Sequence, residues 1–200
     1  MKEKQKILRI FLIVAAAFIG LSAAFTFYYA SNADAAEPII KNFAGTVKRL
    51  TNSDGSLSVV GIFMNNLYVC GISLVIGAMP FLFLPALLLI SNTIVIGSIL
   101  GYYYSVTKGS LLKLVIYGML PHGIFELPAI FLSLTLGIYL CKRITDKLLS
   151  RDKERKLMPA VNTCAKTFVL VIIPLLIIAA LVEAYVTPQI MQGVGFGIGH

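Results

Sequence analysis

The 200-residue chain has no tryptophan, only two histidines, and charged side chains at just 13% of its positions. A soluble domain carries about a quarter. Between Gly55 and Thr107 there is not one Asp, Glu, Lys, Arg or His. A membrane-spanning helix takes ~20 apolar residues, so that stretch holds two spans and a tight connection. Cysteine is also scarce. Cys70, Cys141 and Cys164 are an odd number with no CxxC spacing, which suggests neither a disulfide framework nor a thiolate zinc site. HExxH, GxSxG and GxxxxGK[ST] are absent, and no GxGxxG stands between a strand and a helix, so zincin, serine-hydrolase and nucleotide-binding readings lack support.

What is present is apolar: 58% of residues are hydrophobic and the mean hydropathy is +0.88. The fold expected is an all-α, polytopic membrane bundle in one domain over residues 1–200. The net charge of +8 does not point to nucleic acid, because of where it sits. Lys2, Lys4, Lys6 and Arg9 flank the first apolar run. Lys142, Arg143, Lys147, Arg151, Lys153, Arg155 and Lys156 fill one loop, and Lys166 follows. Such clusters mark cytoplasmic segments beside anionic lipid headgroups. Membrane lipid is the expected partner, nucleic acid is not.

Five spans are expected, over about 7–30, 57–78, 81–103, 121–141 and 166–186. The first resembles a signal-peptide core, with Ala33–Asp34–Ala35 as a small-x-small site, but it is long enough to span, and it is expected to be retained as an anchor. Residues 31–56 form an outer loop whose middle, Ile39 to Leu50, suits a short interfacial helix with a Phe43, Val47, Leu50 face. Leu111 to Cys141 would make ~45 Å of helix, too long for a ~30 Å core. Pro121 should break it, leaving Leu111 to Leu120 as a half-helix or re-entrant helix and starting a full span at the proline. Residues 142–158 are the cytoplasmic basic loop. Pro174 is a kink site, and the glycine-bearing tail from Thr187 should be loosely ordered. The N-terminus is expected in the cytoplasm and the C-terminus outside.

Polar side chains inside these spans are few, and each costs several kcal/mol without a partner. They are Asn65, Asn66, Asn92, His122, Glu126 and Glu183. His122 and Glu126, at i and i+4, project from one helix face. Counting inward from the span ends places the six in the outer half of the bilayer, where they can converge. Two readings stay open. The six can be interhelical glue, at ~0.6 kcal/mol per hydrogen bond. Alternatively they form a site for a proton, a metal or a ligand. His122, Glu126 and Glu183 then make an N,O,O ligand set with the protein-ligand count of catalytic zinc.

Four segments, "FMNNLYV" at 63–69, "SNTIVIGSILGYY" at 91–103, "PHGIFELPA" at 121–129 and "VEAYVTP" at 182–188, together resemble the stage II sporulation protein M family. The motif residues map to Asn66, Asn92, His122, Glu126 and Glu183. The resemblance implies a five-span protein of the bacterial cytoplasmic membrane. It would be a non-enzymatic scaffold that localises two peptidoglycan hydrolases, the stage II sporulation D and P proteins, during septal wall remodelling and engulfment. The alternative is that the polar centre serves a metal-dependent hydrolase or a proton- or solute-coupled transporter, with a divalent ion such as zinc as cofactor. The oligomeric state is left open, a homo-oligomer included. Gly97 and Gly101 form a GxxxG pair that permits close helix approach.

Overall fold

The computed structural model describes residues 2–149 and 156–195. Of the residues singled out above, Arg151, Lys153, Arg155 and the last five of the tail lie outside that set. The described residues are mostly helical, and five helices are long and apolar enough to cross a membrane. We label the helices α1 (Lys2–Ser31), α2 (Ala33–Arg49), α3 (Val59–Gly77), α4 (Pro85–Thr107), α5 (Leu111–Leu149) and α6 (Met158–Gly193). All but α2 are the spanning helices. Large apolar side chains such as Phe27, Leu149, Leu170 and Val60 are more than two-thirds exposed. In water that would be unstable; against lipid it is the expected outer surface.

A helix stands where the short one was expected, at Ile39 to Leu50, and is longer, spanning Ala33–Arg49. It is α2, which packs on α4 and ends in a turn closed by an antiparallel bridge between Thr51 and Leu57. Within that turn the Ser56 hydroxyl and backbone N–H both donate to the Asp54 carboxylate, which holds its carboxyl below the usual range.

Four boundaries differ from the expectation, and one is the start of the last span, at Met158 and not Lys166. The third span begins at Pro85, not Phe81, because a proline in the first turn starts a helix without a missing bond. The intervening Phe81 and Phe83 sit at positive φ (67° and 45°) in the turn. Helix α5 runs on to Leu149, so the first part of the expected basic loop is helical, supported by a Lys142–Asp146 pair at 3.7 Å. The tail is helical as far as Gly193.

Pro121 does not break α5. The helix instead widens to a π-helical segment over Leu114–Met119, then continues as α-helix from Leu120. The same device occurs twice in α6, at Phe168–Ile172 before Pro174 and at Val182–Val186 before Pro188. In each case the residue just before the proline donates five residues back: Leu120 to Val115, Ile173 to Phe168 and Thr187 to Val182. A proline in a regular helix drives its ring into the carbonyl four residues earlier. The wider turn moves that carbonyl aside, so the ring is accommodated without a break.

Close packing comes from small residues. On the α3–α5 seam, Ser73 and Gly77 face Ser133 and Gly137. The Ser73 hydroxyl donates to the Ser133 carbonyl at 3.3 Å and the Ser133 hydroxyl donates to the Cys70 carbonyl at 2.6 Å. The GxxxG pair of α4 is used inside the chain. A Cβ on Gly97 would strike the Phe25 Cβ, and one on Gly101 would lie 2.7 Å from the Thr26 carbonyl oxygen. The centre of the bundle joins α1 and α5 through Phe18 and Phe131, edge-to-face at 4.8 Å. All three cysteines are buried free thiols.

Candidate functional site

Two of the three π segments flank the polar residues. His122 and Glu126 lie in the first two turns after the π segment of α5, and Glu183 lies within the last π segment of α6. π turns are frequent at functional sites because they re-aim side chains within an otherwise regular helix. Here they bring together one atom each from His122, Glu126 and Glu183, all within 4.8 Å of one another. The His122 and Glu126 side chains are only 17% and 19% exposed.

The geometry within the triad is specific. His122 Nε2 lies 3.9 Å from Glu126 Oε2, too long for a hydrogen bond. The other ring nitrogen, Nδ1, lies 3.2 Å from the Thr187 hydroxyl oxygen. That hydroxyl donates its one hydrogen to the Val182 carbonyl at 3.3 Å, so toward the ring it is an acceptor. In the tautomer with the proton on Nδ1, which that acceptor would favour, Nε2 faces the carboxylates with a free lone pair. This is the tautomer a metal ligand needs, held by a partner on the far nitrogen.

Two carboxylates this close repel by roughly 3 kcal/mol at an effective dielectric of about 20. Something positive has to stand among them: a proton, or a cation. Zinc ligands at 2.0–2.2 Å in tetrahedral array lie roughly 3.5 Å apart, so closing on an ion requires side-chain movements of about 1 Å.

The three asparagines expected in this cluster make their hydrogen bonds elsewhere. Asn65 donates to Asn66 at 3.2 Å. Asn92 donates to the Leu88 carbonyl of its own helix at 2.8 Å and faces a small void lined by Cys70, Ser73 and Ser133. An asparagine in a helix has a backbone acceptor one turn away, which counting along the span does not weigh. Three residues escaped sequence reasoning. Thr187 was quoted within a motif but assigned no role. The serines of the α3–α5 seam were legible as two Ser-x-x-x-Gly repeats, Ser73 to Gly77 and Ser133 to Gly137.

Glu126 also allows a stability test. Glu126→Leu should leave the bundle folded, because it removes a carboxylate from an apolar setting. Glu126→Lys should cost about 3 kcal/mol more, by the difference between a leucine and a lysine in mid-membrane. Melting of the two variants in detergent checks the order; a leucine variant less stable than the lysine one would refute it.

Comparison with known proteins follows the same path as the motifs. The family model described as "Stage II sporulation protein M" matches residues 10–188, which contain every residue of the triad and Thr187. Two proteins of Methanocaldococcus jannaschii are similar over most of the chain. The "Uncharacterized protein MJ0793" is 36% identical over 132 residues, covering 64% of this chain and 70% of its own. The "Uncharacterized protein MJ0706" is 29% identical over 159 residues, covering 77% and 68%. No solved structure matches. A multi-pass helical membrane protein matched from its first span to its last by one family model, the chain belongs to the stage II sporulation protein M family.

Proposed function

We propose that the chain is a membrane scaffold in which His122, Glu126 and Glu183 hold one divalent cation, and that the ion fixes the end of the bundle that meets its partners. The observation that carries this is the convergence of one imidazole and two carboxylates, from helices far apart in sequence, within 4.8 Å. Mixed nitrogen and oxygen donors suit zinc and its first-row neighbours. The clamp would join α5 to α6 at the end of the bundle where α2 also lies. By the charge pattern of the termini this end faces away from the cytoplasm. The partners implied by the family are wall hydrolases, the stage II sporulation D and P proteins among them, recruited through α2 and the C-terminal segment.

Two measurements test this reading. Elemental analysis of the purified chain should find about one divalent ion per protein. Co-purification from detergent extracts of cells co-expressing the hydrolases should recover them, and a chelator should release them. Absence of any partner under co-expression would remove the scaffold role and leave only the metal site.

Thr187 provides a finer test. Thr187→Val keeps the shape but removes the acceptor for the His122 Nδ1 proton, and should weaken metal binding 10–100-fold, the usual cost of losing such a partner. Thr187→Ser should restore it. Equal affinity in all three would show that the hydroxyl does not set the tautomer.

One feature favours a second reading. Three protein ligands leave a zinc ion one open position, as in catalytic sites, which suits a metal-dependent hydrolase or a carrier. Liposome uptake or hydrolysis lost in Glu126→Gln would support it; activity in neither assay would set it aside.

A further inference from the structure

At the opposite end of the bundle, where α1 begins and α5 ends, a cleft of about 220 Å³ opens between the two helices. That is about seven times the ~30 Å³ a water occupies, more than a small ion needs. Lys6 and Arg9 of α1 and Lys142 and Arg143 of α5 bring four cationic side chains to it. Facing them are two carboxylates. Asp146 lies 3.7 Å from Lys142. Glu3 accepts from the Tyr139 hydroxyl at 2.6 Å and lies 3.3 Å from Lys6 and 3.7 Å from Arg143. Positive charge is left in excess, and Arg9 has no ion pair among the described residues.

Among the described residues, Arg143 Nε is buried and finds no hydrogen-bond partner, although a buried guanidinium N–H without an acceptor costs more than a kcal/mol. The remaining walls are apolar: Ile10, the Tyr139 ring and the aliphatic stems of the basic residues. An oxyanion would meet the surplus charge of the four basic side chains, and hydrocarbon would meet the walls. No small inorganic ion uses both.

We propose that this cleft binds the phosphate of an anionic phospholipid, with its glycerol and the start of an acyl chain against Ile10 and Tyr139. The site does not depend on the metal centre at the other end of the bundle.

The test uses the full chain in detergent, read by native mass spectrometry and by thermal melting. The probes are a short-chain phosphatidylglycerol, the matching phosphatidylcholine, and inorganic phosphate alone. Phosphatidylglycerol should bind and raise the melting temperature, phosphatidylcholine and phosphate should each do much less. Arg9→Gln should weaken phosphatidylglycerol roughly five-fold, the usual share of one cation near an anionic surface. It carries none of the ion pairs around Glu3, so its fold should be unchanged; Arg143→Gln should weaken phosphatidylglycerol binding too, by removing a second cation from the cleft wall. Equal stabilisation by phosphatidylcholine would mean a generic lipid contact, and full stabilisation by phosphate alone would mean an ion site. Either result overturns the proposal, as does unaltered binding in both arginine variants.

Discussion

Gly137→Val is expected to prevent assembly of the bundle. A Cβ there would lie 2.5 Å from the Ser73 carbonyl oxygen and 2.9 Å from the Pro85 Cγ. Neither obstacle can swing away, since one is helix backbone and the other a proline ring. Helices α3 and α4 must both retreat from α5, and the retreat breaks the reciprocal serine bonds of the seam. Overpacking of this kind costs 1–3 kcal/mol and each lost interhelical bond ~0.6 kcal/mol, about 4 kcal/mol at the upper end. Against a stability at the lower end of the typical 5–15 kcal/mol, only about 1 kcal/mol would remain. The variant should elute as aggregate in size-exclusion chromatography, and Gly77→Val should behave alike, because its Cβ would meet the Gly137 backbone at 2.5 Å. Gly20→Ala is the control: nothing lies within 4 Å of its Cβ position, and the helix should gain up to ~1 kcal/mol. A Gly137→Val protein that melts like the parent would mean that α3 and α5 do not touch at this point.

Loss of bound metal is the second large effect expected. His122→Ala and Glu183→Ala should each take the ion from about one per chain to background, although the two residues sit on different helices. Two remaining ligands are one fewer than the three protein ligands of catalytic zinc sites. Asn92→Ala should leave the metal content unchanged, because its amide is engaged with Leu88. The contrast separates a three-residue centre from a diffuse polar cluster. Metal removal should also loosen the bundle. An ion present at 100 times its Kd adds ≈ 2.7 kcal/mol, so a chelator should lower the melting temperature of the parent and not of His122→Ala. Equal metal in parent, His122→Ala and Glu183→Ala would dispose of the site.

The membrane bundle was legible because uncharged length is a direct readout of solvent. The Gly55 to Thr107 stretch holds two of the spans, and the apolar runs on either side of it supply the other three. The triad was legible for a related reason: a histidine and two glutamates in hydrocarbon need one another. Counting along the chain placed them at similar depth, but depth does not give azimuth. Asn65, Asn66 and Asn92 share that depth and still find partners on their own helices or beside themselves. Proline misled at Pro121 because its effect on a helix depends on the turn before it, which one residue's identity does not reveal. Gly97 and Gly101 were legible as a pair permitting close helix approach, and α1 fills the groove they make.

The widened turns also bear on how the chain can vary in length. Each one holds a residue more than a regular helix would need, kept there by the ring that follows. A relative in which position 121 is not proline is free to drop a residue from the 114–119 stretch, and an alignment should show the gap and the substitution together. The gap would swing everything before it by about 100° around the helix axis, turning a different stripe of Leu111–Lys113 toward its neighbours.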